Sequence, residues 1–391
     1  MRGRWWGPRM TIAIAAVGAS CGARTTLSVP PPAPPHPELA LGALHTCLLG
    51  GDGAVHCWGS AAQEGDDQNL NMEICDPLAP VFVPEVDGAS HVSASQRSCG
   101  GYACAVVTGG TVRCWDMADP QKQGFLPDVG PSVDVRTSES FGCALGADGA
   151  VRCFGEVPFR PVSWTDPPVI IPGLAHVVGI AAASNWYPGH ACALDASGAA
   201  FCWGSNIDGQ LGDGTAPETS AGSGTPVRVQ VPVGFVAITA SGEHTCAVDV
   251  AGDAWCWGVG GVGDGTAVSR GEPTRVVDLP HNVVQIAAGA GHTCALLGDA
   301  SVWCWGANNM GQLGNGTFLS TLAPVRVEGL GDTIAIGLGF AHTCAVERDR
   351  SVWCWGSNST CVAPGCTDGA ETGQLGVSGI TQSPVPVRAS W

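Results

Sequence analysis

The chain has 391 residues, 19 of them cysteine, and a formal net charge of −17. Such an acidic chain repels the phosphate backbone of nucleic acids, so the charge argues against a function in DNA or chromatin binding. No segment has the 18 or so consecutive apolar residues of a membrane-spanning helix, which argues against an integral membrane protein.

The N-terminus has the pattern of an export signal. Three arginines precede an apolar run over 10–17, and small residues and Cys21 follow it. This order is typical of a signal peptide over 1–20, and a cysteine directly after small residues resembles a bacterial lipobox. We therefore expect Cys21 to be lipidated and the chain to lie at the bacterial cell envelope or surface, or to be secreted.

A proline-rich segment, VPPPAPPHP over 29–37, comes next. Such a sequence is extended and semi-rigid, at ~3.1 Å per residue. We expect residues 21–38 to form a lipidated N-terminus and stalk, and residues 39–391 to form the folded domain.

Seven pairs of cysteines, each pair ten positions apart, mark an internal repeat in that domain. The pairs are Cys47/Cys57, Cys104/Cys114, Cys143/Cys153, Cys192/Cys202, Cys246/Cys256, Cys294/Cys304 and Cys344/Cys354. The surrounding text recurs as well, as in HTCALLGDASVWCWG at 292–306 and HTCAVERDRSVWCWG at 342–356. An internal repeat of this kind indicates structural units that are stable only when they pack on one another.

Each unit is predicted to contain a β-hairpin closed by a disulfide. Between Cys192 and Cys202, two apolar runs flank an Asp-Ala-Ser-Gly tract, which is a short-turn signal. Because the two cysteines are equally far from Ser197, they oppose each other with Cα atoms about 4.5 Å apart, within disulfide range. The alternative is seven pairs of reduced, buried cysteines, which an exported protein disfavours.

The flanking sequences predict one further strand on each side of the hairpin. An apolar run, NVVQIAAGAG, precedes His292, and the loop ANNMGQLGNGT leads from Gly306 to the short strand APVRV. Four strands in up-and-down order make a blade, so seven copies predict an all-β, seven-bladed β-propeller. The last Pro-Val strand, SPVPVRAS at 383–390, has no obvious hairpin of its own, and we predict that it pairs with blade 1 and closes the ring.

The motifs HTCAL, GxVxCWG, GQLGDGT and PVRV resemble the repeats of the RCC1 family, the seven-bladed propellers named after the regulator of chromosome condensation. The resemblance covers about residues 39–391 and is strongest in blades 4 to 7. Phe154 replaces a recurring tryptophan, and Tyr102 and Phe141 replace recurring histidines. The resemblance implies a binding scaffold, since exported bacterial members include a β-lactamase inhibitor protein that grips its enzyme with one propeller face. The founding member's chromatin binding and nucleotide exchange do not carry over to this acidic chain.

The remaining cysteines can be assigned too. Cys361 and Cys366 share one loop, and Cys75 and Cys99 lie in loops predicted to emerge on the same face, so we expect two further disulfides. Nine disulfides and one lipidated thiol fit an oxidising compartment. The recurring His-x-Cys and Cys pairs lack the short Cys-x2-4-Cys spacing of structural zinc sites, and we expect neither metal nor cofactor.

Irregular loops are the candidate binding site, because the repeated positions maintain the scaffold. Four such loops fall on one predicted face, and their candidate residues are Asp66, Asp67, Arg97, Tyr102, Trp186 and Tyr187. Exposed loop aromatics are typical anchors for a partner. Two alternatives stay open: the aromatic pair covers its own blade, and the acidic loop is simply a solvated surface.

Recurring aromatic residues and histidines are interpreted as structural. The tryptophans are predicted to fill gaps between adjacent sheets, and they are Trp58, Trp115, Trp203, Trp257, Trp305 and Trp355. The histidines are predicted to be buried and hydrogen-bonded, and they are His45, His190, His244, His292 and His342.

No catalytic motif is recognisable, so the sequence favours a non-catalytic binding module over an enzyme. We expect a monomer that binds an extracellular protein or glycan through one propeller face, with no nucleic-acid partner and membrane contact only through the lipid. Two alternatives remain: an extracellular hydrolase or lyase acting on polysaccharide or peptide, and a structural envelope component. A carboxylate pair in a central pocket would favour the enzyme.

Overall fold

The computed structural model describes residues 37–59, 81–83, 86, 88–95, 101–116, 128–159, 166–183, 189–359 and 371–390. These residues form strands, turns and one short 3-10 turn at Thr108–Gly110. None of them forms a helix that is long and apolar enough to cross a membrane.

Seven antiparallel sheets make up the fold, and we number them as blades in chain order. Blades 1 to 3 consist of β1 (Glu38–Leu41), β2 (His45–Leu49), β3 (Val55–Gly59) and β4 (Val81–Phe82); β5 (His91–Ala94), β6 (Tyr102–Val106) and β7 (Val112–Asp116); and β8 (Ser132–Thr137), β9 (Phe141–Gly146), β10 (Val151–Gly155) and β11 (Val169–Ile170). Blades 4 and 5 consist of β12 (Val177–Ala183), β13 (His190–Asp195), β14 (Ala200–Ser205) and β15 (Gly222–Arg228); and β16 (Phe235–Ser241), β17 (His244–Asp249), β18 (Ala254–Gly258) and β19 (Arg270–Arg275). Blades 6 and 7 consist of β20 (Val283–Ala288), β21 (His292–Leu297), β22 (Val302–Gly306) and β23 (Thr321–Arg326); and β24 (Thr333–Leu338), β25 (His342–Glu347), β26 (Val352–Ser357) and β27 (Gln382–Arg388).

The blades form a closed ring, which confirms the predicted seven-bladed propeller. The first strand of each blade contacts the first strands of its neighbours, and β24 contacts β1. These inner strands line a central channel that encloses a cavity of about 300 Å³. Six blades have four described strands in up-and-down order, and blade 2 has three.

Up-and-down order gives the propeller two different faces. One face carries the connections between first and second strands and between third and fourth strands, and we call it the loop face. The other face carries the hairpin turns between second and third strands and the passages from blade to blade, and we call it the turn face. Inner strands begin at the turn face and end at the loop face.

The seven hairpin cysteine pairs lie at disulfide distance, as predicted. In every blade the two cysteines are cross-strand partners, and the pairs are Cys47–Cys57, Cys104–Cys114, Cys143–Cys153, Cys192–Cys202, Cys246–Cys256, Cys294–Cys304 and Cys344–Cys354. Their Cα atoms lie 4.0–4.1 Å apart in all seven pairs. This separation is smaller than the about 4.5 Å expected for opposed residues at a non-hydrogen-bonded site.

The hairpin cysteines are buried scaffold residues and take no part in the candidate binding face. Even the cysteines on the third strands are out of reach of solvent, with exposed fractions of 5% for Cys57, 3% for Cys114, 0% for Cys153 and 0% for Cys256. Their bridges therefore stabilise the blades from inside and cannot contact a partner. The five cysteines outside the hairpins, Cys21, Cys75, Cys99, Cys361 and Cys366, lie outside the described residues.

The glycine that follows the recurring tryptophan has a backbone reason to be glycine. Gly306 has a φ of +100°, and a Cβ there would lie 2.4 Å from the carbonyl oxygen of Gly291. A side chain would therefore be strained by its own φ and would collide with the neighbouring strand. This requirement explains why Trp-Gly recurs as a unit at the end of the third strand.

The prediction that the C-terminal strand pairs with blade 1 is wrong. β27 pairs with β26 of blade 7, with Val387 opposite Cys354. Each Pro-Val strand is the outer strand of the hairpin that precedes it, so none is left over, and blade 1 has its own outer strand β4. The ring closes without a shared strand: Leu39 and Leu41 of blade 1 pack against Gly337 of blade 7, and the Phe340 amide donates to the Gly42 carbonyl at 3.2 Å.

Candidate functional site

A hydrogen-bonded trio fastens each of four neighbouring blade pairs, and the pair of blades 6 and 7 shows its geometry. His292 Nε2 lies 2.9 Å from Thr343 Oγ1. The Thr343 hydroxyl donates to the carbonyl oxygen of Gln312 at 2.9 Å, and Trp355 Nε1 donates to the same oxygen at 2.9 Å. The other three trios join His190 to Thr245, His244 to Thr293, and His342 to Thr46.

This network fixes the protonation state of the histidines. A threonine hydroxyl has one proton, and in each trio it donates that proton to a carbonyl. The imidazole must then be the donor through Nε2–H, which leaves Nδ1 unprotonated, and Nδ1 is buried without a partner in all four. Burial accordingly lowers the pKa of His292 from its ordinary 6.5 to about 3 and that of His244 to about 4. The prediction that these histidines are buried and structural is confirmed.

The recurring tryptophans are likewise structural, as predicted. Trp58, Trp115, Trp203, Trp257, Trp305 and Trp355 are all fully buried. Four of them complete a trio by donating to a neighbouring carbonyl, as Trp355 does. Their indole rings fill the space between sheets and are not available for stacking on a ligand.

The junctions around blades 2 and 3 lack the trio. Ala103 occupies the position of the threonine that would accept a hydrogen bond from His45, and His45 Nε2 is buried without a hydrogen-bond partner. Trp115 Nε1 and Trp203 Nε1 have no partner among the described residues either. Between blades 2 and 3 the polar contact differs, because the Tyr102 hydroxyl donates to the carbonyl of Phe141 at 3.1 Å.

Tyr102 is therefore not an exposed contact residue, contrary to the prediction. It is 6% exposed and replaces a trio histidine at the junction. The other five candidate contact residues, Asp66, Asp67, Arg97, Trp186 and Tyr187, lie outside the described residues, as does Cys21.

Four ionisable side chains meet on the inner strands of blades 1, 2 and 3, and two of them, Glu38 and Arg136, line the central cavity. Arg136 Nη1 lies 3.1 Å from Glu38 Oε1, and Arg136 Nε lies 3.3 Å from Asp134 Oδ2. His91 Nδ1 lies at ion-pair distance, 3.3 Å, from Glu38 Oε2 without hydrogen-bond alignment. We call these four residues the channel quartet.

Each charge in the channel quartet is balanced by another. Burial raises the pKa of Glu38, but Arg136 and His91 outweigh this effect and hold the pKa below its ordinary value. Burial raises the pKa of Asp134 above its ordinary range, against the opposing charge of Arg136. The contact with Glu38 raises the pKa of His91. The quartet thus ties blades 1, 2 and 3 together where trios are missing.

Sequence reasoning missed the channel quartet, although a signal was present. Glu38, His91 and Asp134 each lie two residues before the inner-strand partner of the first hairpin cysteine. The equivalent positions in blades 4 to 7 are Gly179, Ala237, Gln285 and Ala335. Aligning the inner strands would have isolated the three ionisable residues.

Hydrogen bonds from buried residues and between neighbouring blades fix the backbone of the loop face. In blades 4, 6 and 7, a buried asparagine side chain accepts a hydrogen bond from the leucine amide of the Gly-Gln-Leu-Gly tract, as Asn308 does from Leu313 at 2.9 Å. In blades 4 to 6, the loop between the third and fourth strands also bonds to the outer strand of the next blade, as when Gly214 donates to Gly271 at 3.0 Å.

Acidic side chains dominate the solvent-facing part of this rigid frame. The described loop-face connections hold no lysine or arginine, and their acidic residues are Glu139, Glu156, Asp166, Asp208, Asp213, Glu218, Glu243, Asp264 and Glu371. The pKa of Glu243 is raised by partial burial and by the charge of Asp208, so carboxylates crowd one another there. Arginines stand instead where outer strands reach the turn face, at Arg228, Arg275, Arg326 and Arg388. Among the residues described, no three histidine, cysteine or acidic side chains are grouped so as to hold a metal ion.

Comparison with known proteins identifies the repeats. Residues 197–248, 251–296 and 299–346 match the family described as "Regulator of chromosome condensation (RCC1) repeat", and residues 283–312 and 334–360 match a second family of that description. "Protein pim1" of Schizosaccharomyces pombe is 25% identical over 260 residues, which are 56% of this chain and 46% of that protein. The chain thus spans about half the length of this curated relative.

Solved structures of low identity share the fold. Prp20p from Saccharomyces cerevisiae is 22% identical with a TM-score of 0.63, over 77% of this chain and 80% of that one. Yeast RCC1 (Prp20), solved with Kap60 bound, is 17% identical with a TM-score of 0.67, over 98% and 91%. Human WBSCR16 is 19% identical with a TM-score of 0.65, over 80% and 86%.

Proposed function

Because the chain belongs to the RCC1 repeat family, we propose that it is an exported, non-catalytic binding module that recognises a protein or another macromolecule through its loop face. One observation carries the proposal: the part of the loop face that the structure describes combines a backbone hydrogen-bonded to buried asparagines with connections that expose carboxylates and, within those residues, no lysine or arginine. A rigid surface of one charge loses little entropy on binding and selects a complementary partner.

Export is supported by the hairpin disulfides, because seven bridges in one domain are typical of an oxidising compartment. The membrane anchor we propose is lipidated Cys21. Cys21→Ser should move the protein from the membrane fraction to the soluble fraction. Retention of the variant in the membrane, with normal processing, would contradict the anchor.

The proposed binding face is tested by matched charge reversals. Glu243 and Glu328 are both exposed, the first on the loop face and the second on the turn face. We expect wild type and Glu328→Lys to capture the same partner from envelope extracts, and Glu243→Lys to lose at least most of it. Equal capture by all three proteins, or loss only with Glu328→Lys, would overturn the assignment of the loop face.

Trp186 and Tyr187 remain our proposed aromatic contacts in an irregular loop. Replacing both with alanine should weaken capture and leave the cooperative thermal unfolding transition unchanged, because exposed loop aromatics contribute mainly to binding. Loss of the cooperative transition with retained capture would show that the pair belongs to the core.

A hydrolase or lyase is the second candidate, and the channel quartet favours it. Glu38 lines the central cavity and Asp134 lies beside it, bridged to it by Arg136, and the pKa values of the two carboxylates are shifted in opposite directions, as in acid–base pairs. Arg136, however, contacts both carboxylates and holds each of them in an ion pair. If the quartet were catalytic, Asp134→Asn would abolish turnover of a polysaccharide or peptide substrate without lowering the melting temperature. We expect instead that Asp134→Asn lowers the melting temperature and abolishes no turnover.

A further inference from the structure

Five large apolar side chains stay exposed in a group along the rim of blades 5 to 7, next to the loop face. Their exposed fractions are 58% for Val268, 42% for Phe318, 74% for Leu319, 45% for Leu322 and 43% for Val385. We call these five residues the rim patch. Single exposed apolar residues are ordinary on a protein surface, whereas a contiguous group marks a contact site.

Hydrogen bonds between blades join the backbone segments that carry the rim patch. Gly265, in the loop that carries Val268, donates its amide to the carbonyl of Leu322 at 3.0 Å. Gly316, in the loop that carries Phe318, donates to the carbonyl of Pro384 at 2.9 Å, directly before Val385. The backbone segments that carry these apolar side chains are therefore neighbours across three blades.

The backbone beneath the rim patch is fixed. The Leu319 carbonyl accepts a hydrogen bond from the buried Asn308 amide at 3.1 Å, and the Leu319 amide donates to Thr317 Oγ1 at 3.3 Å. The Val268 amide donates in the same way to Thr266 Oγ1 at 3.4 Å. An exposed leucine on an immobile backbone is preorganised for contact, since little backbone entropy remains to be lost on binding.

The charges nearby indicate what kind of partner fits. Arg270 is the basic residue close to Val268, and its Nε already donates to Asp264 at 2.8 Å. Glu272, on the same strand, is exposed. The described loop-face connections of blades 5 to 7 contain Glu243 and Glu371 in addition to the paired Asp264, and no lysine or arginine. A second copy of this face, or an anionic lipid surface, would be repelled.

We propose that the rim patch is the apolar part of the binding site and that its partner is a basic protein segment with interspersed apolar side chains. This inference rests on the proposed function of the loop face and specifies the chemistry of the partner. Apolar contacts would supply affinity, and the carboxylates would select for positive charge.

Synthetic peptides test the partner's chemistry directly. The probes are three peptides of equal length: alternating lysine and leucine, alternating lysine and serine, and alternating glutamate and leucine. We expect the lysine–leucine peptide to bind in a titration calorimeter, the lysine–serine peptide to bind at least tenfold more weakly, and the glutamate–leucine peptide not to bind. Equal binding of both leucine peptides would overturn the charge complementarity.

Matched variants locate the site. Val268→Ser combined with Leu319→Ser should weaken the lysine–leucine peptide by about tenfold, because two exposed apolar contacts are lost. The control combines Val236→Ser with Val284→Ser, two turn-face valines that are 60% and 57% exposed. We expect the control to bind like wild type. Equal weakening in both variants, or weakening only in the control, would overturn the rim patch.

The two proposals fail separately. If Glu243→Lys abolishes capture of the envelope partner but the rim variant captures it normally, the loop face is the binding face and the rim patch is not part of it. If neither variant affects capture, both proposals are wrong.

Discussion

The residue that organises the blade junctions is the threonine after the recurring histidine. It accepts from the histidine of the preceding blade and donates to that blade's loop carbonyl, as Thr343 does with His292 and Gln312. Where Ala103 replaces it, the Nε2 atom of His45 is left without a hydrogen-bond partner. A buried imidazole without its hydrogen bond is costly, so this one position should control local stability.

Reciprocal substitutions test this role. Thr343→Val removes the hydroxyl at nearly constant volume and leaves the buried Nε2–H of His292 without an acceptor, so we expect the free energy of unfolding to fall by about 1–3 kcal/mol. Ala103→Thr supplies the missing hydroxyl to His45 and should raise the same quantity by about 1 kcal/mol. Urea unfolding measures both. A neutral Thr343→Val would show that the trio contributes little.

The sequence predicted the structural roles of residues that recur in register. It did not predict the roles of residues that depart from the repeat. The histidines and tryptophans recur in register, and a repeated position is usually part of the scaffold. Tyr102 looked like a departure from the repeat and therefore like a contact residue, yet a tyrosine can reach the next blade as histidine does. The channel quartet joins Glu38 to Arg136 across 98 positions, and such a contact depends on the ring having closed.

The structural element that recurs most faithfully is the disulfide-closed hairpin. Cysteines that face each other across two strands shorten the loop available to the unfolded chain, which destabilises the unfolded state. The outer strand of blades 4 to 7 contains proline at Pro226, Pro273, Pro324, Pro384 and Pro386. Proline cannot donate to a further strand, so these exposed edges are protected against pairing with other chains.

Removing one hairpin bridge should have a moderate effect. We expect Cys294→Ser with Cys304→Ser to lower the free energy of unfolding by about 2–3 kcal/mol, because the closed loop is short. Mass spectrometry of the unreduced, denatured wild type should find no free thiol among the fourteen hairpin cysteines. Modification of these cysteines by an alkylating reagent before reduction would contradict the pairing.

Strand identity was predictable from the sequence, and strand partnership at the ring's end was not. A spacing of ten residues fixes which cysteines oppose each other, because the turn between them is local. This local rule holds even in the less regular blades 1 to 3, where the third-strand cysteines are Cys57, Cys114 and Cys153, and in blade 5, where it is Cys256. The partner of β27 depends on whether a Pro-Val strand belongs to the preceding or the following hairpin, and both assignments fit the repeating sequence. The pairing of Val387 with Cys354 decides the question.

The whole molecule should lose stability in mild acid. Burial lowers the pKa of His45 and His244 to about 4 and that of His190, His292 and His342 to about 3. Below about pH 6.5 these histidines are protonated in the unfolded chain but stay neutral in the folded chain. The free energy of unfolding therefore falls as pH falls toward 4. Each histidine contributes up to ~1.4 kcal/mol per pH unit. His91 acts in the opposite sense because its pKa is raised.

Thermal melts between pH 7.5 and 4.5 check the pH dependence. We expect the melting temperature to drop steadily below pH 6.5, and His292→Gln to reduce the slope relative to wild type. A melting temperature that is constant over this range would contradict the neutral, buried state of the histidines.

The central claim is that a rigid ring presents one face to a partner, and a footprint of the bound partner tests it most directly. Carbene labelling of the captured complex should protect loop-face residues such as Ile207, Val268 and Leu319, which are exposed in the free chain. Val178, Val236 and Val284, exposed on the turn face, should label equally with and without the partner. Protection of the turn-face valines with unchanged labelling of the loop face would contradict the account.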